Sequence, residues 1–143
     1  MSTRCQILVE GNATVFYRHS DGYPERKSGV LHDILPLVKA FTKVSDDPDY
    51  LMAHIVHHLI AKHMKLANDY IKNSNSHSDE IKYIGYAVEG FDGTFHSDLK
   101  YIYVVKKDCV EIHKANSKFL DNPVIESSDI ISVVDFDGKE IVR

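Results

Sequence analysis

The sequence has no tryptophan, only two cysteines, four prolines and seven glycines in 143 residues, no basic block and no long apolar run. Each scarcity closes off a class of protein. Cys5 and Cys109 stand far apart with no CxxC around either, which argues against a disulfide scaffold or a zinc knuckle and fits two free thiols in a reducing compartment. The apolar stretches span a few residues, against the roughly 18 or more that cross a bilayer, and the N-terminus has no signal-peptide centre. The expected location is therefore cytoplasmic, with no membrane partner. With 17 Lys plus Arg against 21 Asp plus Glu, a formal net charge of -4, the chain lacks the dense cations that neutralise phosphates along a duplex. No extended nucleic acid is expected as a partner. There is also no GxSxG elbow, no phosphate-binding GxxxxGK[ST], no GxGxxG and no cysteine-protease signature, so no cofactor and no catalytic residue is indicated.

What is present suffices for one core: 43% hydrophobic and 27% charged residues predict a single domain over residues 1–143. Residues 5–10 and 13–18 are rich in β-formers and flank Gly11-Asn12, which predicts a hairpin with Glu10 facing Ala13 and Cys5 facing Arg18. Alternation then puts Cys5, Ile7, Val9, Phe16 and Arg18 on a core face, and Arg4, Gln6, Leu8, Val15, Tyr17 and His19 on a half-polar face. Residues 19–24 read as a tight turn leading into a loop as far as Ser28 or Gly29. Leu31, Ile34, Leu35, Val38 and Phe41 have helical spacing, and an N-cap at Asp33 would set Pro36 in the first turn of a helix over about 33–44. Asp47-Pro48 opens a second helix, expected to reach Ile71, with Leu51, Met52, Ile55, Val56, Leu59, Leu66, Ala67 and Tyr70 on its apolar stripe. Strands are expected over 82–89, 101–106, 109–114, 130–136 and 139–142, with turns at Lys107-Asp108 and Asp137-Gly138. The fold class is α+β: a mainly antiparallel sheet built from a hairpin, two helices and further strands, with the helices packed on one face.

Two constellations invite chemistry. His54 and His58, four apart on the second helix, point the same way as metal ligands do, but the metalloprotease form needs Glu where Ile55 stands. On the helical wheel His54, His57 and His58 fall at the flank of the stripe and His63 within it, so a helix-flank role is preferred to metal; nothing in the spacing of His96 or His113 demands a third ligand. The other constellation lies at the open end of the first hairpin, where Arg4, Arg18, His19, Asp21, Tyr23 and Arg26 come close. Two guanidiniums fork onto phosphate or carboxylate oxygens, and His19 and Tyr23 add donors and a stacking surface. An equally weighted reading pairs Arg18 with Asp21, lets Asp21 cap its own turn and packs Tyr23-Pro24 on the helices. Arg18 opposite Cys5 would also lower its thiol pKa, although a small buried strand residue is the commoner role for such a cysteine.

Residues Ser2-Thr3-Arg4-Cys5-Gln6-Ile7, Tyr17-Arg18-His19-Ser20-Asp21-Gly22-Tyr23-Pro24, Val30-Leu31 and Leu35-Pro36 resemble the opening of a family of small uncharacterised bacterial and phage proteins. The likeness covers roughly the first quarter of the chain. It implies that Arg4, Arg18, His19, Asp21, Gly22 and Tyr23 belong to the family's signature, and it carries over no catalytic residue. Glu25-Arg26-Lys27-Ser28 is an insert relative to that pattern and leaves Arg26 outside it. Phage kinship implies a protein that acts by binding. The expected function is a non-enzymatic phage-type or bacterial accessory protein that binds a small anionic or nucleotide-like ligand, such as a host defence signal held by sequestration. Its ligand-binding residues are expected to be Arg4, Arg18, His19, Asp21 and Tyr23, joined by Tyr83, Tyr86, Tyr101 or Tyr103 in a homo-oligomer whose pocket forms between subunits. A module that docks on a host protein is the alternative, on the evidence of the half-polar hairpin face and His63; a metal-assisted hydrolase using histidines ranks third.

Overall fold

The computed structural model describes residues 3–25, 27–62, 85–115 and 129–141. Six strands, β1 (Cys5–Val9), β2 (Thr14–Arg18), β3 (Tyr86–Gly90), β4 (Tyr101–Val105), β5 (Val110–Lys114) and β6 (Ile130–Val134), form one sheet in the order β3-β2-β1-β4-β5-β6. All neighbours are antiparallel except β1 and β4. Two helices, α1 (Val30–Thr42) and α2 (Pro48–Ala61), lie between β2 and β3 in sequence and pack on one face of the sheet, the α+β arrangement expected. Among the described residues no helix is long and apolar enough to cross a membrane.

The hairpin register follows the sequence pattern, with Cys5 opposite Arg18 and Leu8 opposite Val15. The chain reverses through a turn closed by Asn12 N–H donating to the Val9 carbonyl, with Gly11 at φ 93°, the left-handed conformation that glycine adopts without strain. Cys5, Ile7, Val9 and Phe16 then face Ile34, Val38, Ile55 and Leu59 of the helices in the main core. The half-polar face is not bare. Val15, Ile102 and Val104 bury there against Phe95 and Leu99, so residues 91–99 cover part of this second face with a smaller apolar cluster.

Several boundaries differ from expectation. Helix α1 begins at Val30, with Gly29 as N-cap, because Asp33 is drawn inward as a buried ion-pair partner and does not cap the helix. Pro36 therefore sits well inside α1, not in its first turn. Strand β3 begins at Tyr86, and positions 82–84 of the expected strand lie outside the described residues. Helix α2 starts as expected, with the Asp47 carboxylate accepting from Asp49 N–H, and buries Leu51, Met52, Ile55 and Leu59. Its expected continuation, with His63, Leu66, Ala67 and Tyr70, also lies outside the described residues, as does Tyr83.

Candidate ligand-binding site

Strand alternation decides what the signature residues can reach. Arg4 and Arg18 occupy opposite faces of the β1–β2 hairpin, and the structure parts them. Arg18 points into the helix-covered core at 2% exposure, where Nη1 donates to Asp33 Oδ2 at 2.9 Å, Nε to the Ser20 carbonyl at 2.9 Å and Nη2 to the Ser28 carbonyl at 2.8 Å. Lys62 adds a second cation at 3.1 Å from Asp33. The guanidinium thus ties both ends of the loop 19–29 to α1, and its partner is Asp33, not Asp21.

The rest of the signature serves the same loop. Asp21 takes φ 57° and accepts from the Tyr23 hydroxyl at 2.9 Å, while Tyr23 Oη also meets Ser28 Oγ at 2.5 Å. Gly22 is pressed onto β1: a Cβ there would lie 2.6 Å from the Thr3 carbonyl oxygen, so a side chain would push the loop off the strand. Its carbonyl accepts from the buried Tyr103 hydroxyl at 2.6 Å. Tyr86 stacks on Phe16 with centroids 5.5 Å apart. Burial pushes the Cys5 thiol up to about 12, the Arg18 charge opposing this only in part, so the expected lowering of that pKa does not occur.

On the second face a different group assembles. Tyr17, His19, Gly85, Tyr86, Ala87, Glu89 and His96 line a groove of about 400 Å³. Ala87 pairs with Tyr17 across β2 and β3, and its small side chain leaves room beside the phenol ring. The Tyr17 ring lies 4.9 Å from that of His96, and its hydroxyl meets His19 Nδ1 at 2.9 Å. His96 Nε2 reaches both Glu89 oxygens, at 2.7 and 2.9 Å. Burial, reinforced by the Asp98 carboxylate, raises the Tyr17 pKa above its ordinary value. Its phenol keeps its proton near neutral pH and shares a hydrogen bond with His19 Nδ1.

Beside the groove Arg4 Nη1 donates to Asp98 Oδ2 at 2.6 Å, and Gln6, 1% exposed, accepts the His96 backbone N–H on Oε1 at 3.0 Å. Arg4 Nε, Gln6 Nε2 and His113 Nδ1 are the buried side-chain nitrogens without a partner among the described residues. All three belong to this face, since His113 pairs with Ile102 and Ile102 with Gln6. The sequence pattern put Arg4 and His19 in the candidate ligand set, left Gln6 only as a member of the same half-polar face, raised His96 only as a metal ligand and did not single out Glu89. The period-two alternation already put Gln6 beside Tyr17, whereas Glu89 and His96 needed the β2–β3 pairing.

On α2, His54, His57 and His58 are exposed, and the His54 ring lies 5.4 Å from that of Phe41. Among the described residues no three His, Cys, Asp or Glu side chains converge as metal ligands would. No family model, curated protein or solved structure matches this chain, and the site is read from its own chemistry.

Proposed function

We propose that this protein is a non-enzymatic binder of a small anionic or nucleotide-like ligand, held in the groove formed by Tyr17, His19, Ala87, Glu89 and His96 and flanked by Arg4. The observation that carries the reading is the groove's composition: aromatic and imidazole rings for a planar group and a Glu89 acceptor, with the Arg4 charge close enough to act on Tyr17. A binder needs stacking surface and donors but no general base, and a Tyr17 phenol held protonated suits that role. Arg18, Asp21 and Tyr23 enter this reading as the frame that sets His19 in place. Sequestration of a nucleotide-derived signal is a use such a site serves.

Titration calorimetry and thermal shift with nucleosides, nucleotides and cyclic nucleotides test it. A ligand at 100 times its Kd stabilises by about 2.7 kcal/mol, a shift easily seen. His19→Ala is expected to weaken binding about tenfold or more, and silence across the whole panel sinks the reading. Docking on a protein partner is the second reading. It draws on Val88, 53% exposed on β3, which shares an apolar groove with Met52, Val56 and Ile60 of α2. Retention of a partner that Val88→Asp abolishes and His19→Ala spares would favour it.

A further inference from the structure

Next to the groove, where Gln6 pairs with Tyr17 and holds the His96 N–H, two buried donors have no acceptor among the described residues. Gln6 cannot relieve its own orphan by turning its amide over. Oε1 is committed to the His96 N–H at 3.0 Å, so Nε2 is the atom left over. Arg4 spends Nη1 on Asp98, while Nε is buried without an acceptor. Arg4, just before β1, and Gln6 within it stand two apart in extended chain and so share a face, a spacing of about 6.6 Å that side chains of this length close easily. The edge of a guanidinium that carries Nε presents two nearly parallel N–H bonds, the geometry that matches two oxygens of a phosphate or carboxylate. A buried N–H without a protein acceptor is costly, so an acceptor that arrives here is favoured.

Resting on the binding reading above, we infer that Arg4 Nε and Gln6 Nε2 form the seat for the ligand's oxyanion, with Asp98 as the carboxylate that competes with that oxyanion for the Arg4 charge. The Asp98 side chain is 46% and the Arg4 side chain 36% exposed, so their pair contributes little net stability and opens readily. Residues 91–100 stay held without Asp98: Lys100 N–H donates to the Arg4 carbonyl and Phe91 N–H to the Ala13 carbonyl, His96 bonds Gln6 and Glu89, and Phe95 and Leu99 anchor in the apolar cluster. Release of Asp98 frees Arg4 Nη1 and removes a carboxylate that repels the incoming anion. The planar part of the ligand then lies along Tyr17 and His96, and its oxyanion reaches β1.

Calorimetry on the full chain with AMP, adenosine, inorganic phosphate and benzoate tests this. AMP should bind about tenfold or more tightly than adenosine. Asp98→Ala should tighten AMP several-fold and leave adenosine unchanged. Gln6→Glu keeps an acceptor for His96 and gives Arg4 Nε a carboxylate, so it should raise the melting temperature of the free protein and weaken AMP about tenfold. Benzoate that binds with the same sensitivity to Asp98→Ala identifies a carboxylate seat, and inorganic phosphate with that sensitivity a phosphate seat; either supports the inference. Equal binding of AMP and adenosine, with Asp98→Ala silent, overturns the seat and leaves the groove reading standing. No binding of any of the four overturns both. Asp98 is exposed, so its variant remains informative even if Gln6→Glu does not fold.

Discussion

Arg18 shows how far a residue's role depends on which face of a strand it occupies. As sequence it is a cation in a conspicuous motif, and the same alternation that placed it with Cys5 and Phe16 also marked it as interior. Its partner was harder to read, because Asp33 carries the signal of a helix N-cap and lies in another element. A buried charge loses several kcal/mol of hydration and recovers it only through good geometry, which the contacts to Asp33, Ser20 and Ser28 supply. Removing Arg18 leaves Asp33 with the more exposed Lys62 alone, and removing Asp33 leaves the buried Arg18 charge with backbone carbonyls only. Arg18→Ala and Asp33→Ala should each cost about 3–5 kcal/mol, and the double variant should cost less than their sum by about 1–3 kcal/mol, as read from urea unfolding. Strict additivity would show that the pair does not act as a unit. His19 and Tyr17 would then lose their positioning argument, since the loop they border depends on that pair.

At the scale of elements, regular periods were legible and irregular cover was not. The hairpin register and the buried faces of α1 and α2 followed from spacings of two and of three to four, which persist whatever the elements pack against. Phe95 and Leu99 show no such period, so nothing in the sequence announced that they would roof the second face and convert a half-polar surface into a groove. The start of α1 was misplaced for a physical reason. Pro36 argued for a start near Asp33 because an interior proline removes a hydrogen bond, here the one its N–H would have made to the His32 carbonyl, and it crowds that carbonyl as well. The chain bears this cost, and Leu35 and Val38 on either side remain buried. Pro36 is exposed, so replacing it should release the cost without opening a cavity. Pro36→Ala is expected to stabilise the protein by about 1–3 kcal/mol in urea unfolding. A loss of stability instead would mean that the proline's restriction of the unfolded chain outweighs its cost in the helix.

The molecule as a whole stores its ionisable risk under the helices. Cys5, Tyr86 and Tyr103 all lie on the helix-covered face, and burial raises the pKa of each, the Cys5 thiol from the ordinary 9.0 to about 12 and the Tyr86 phenol from 10.0 to about 12, with Tyr103 pushed higher still. Arg18 favours the charged forms of all three, yet desolvation outweighs it. The core holds these groups neutral, while the unfolded chain lets them ionise at ordinary values. Because the folded pKa values lie above the unfolded ones, the stability tied to them is intact below the unfolded values and drains away as pH rises toward the folded values. The urea midpoint should therefore be insensitive to these groups below pH 9.0 and fall progressively toward about 12. Cys5 and Cys109 both ionise from 9.0 in the unfolded chain and burial raises both when folded, Cys5 by far the more deeply buried, so Cys5→Ala, though less stable near neutrality, should show a shallower alkaline decline between 9.0 and 10.0, with the tyrosines adding theirs above that. Identical alkaline profiles for the two proteins would show that the Cys5 thiol is not held neutral by the core, and would put in question the helix-face packing from which its burial follows.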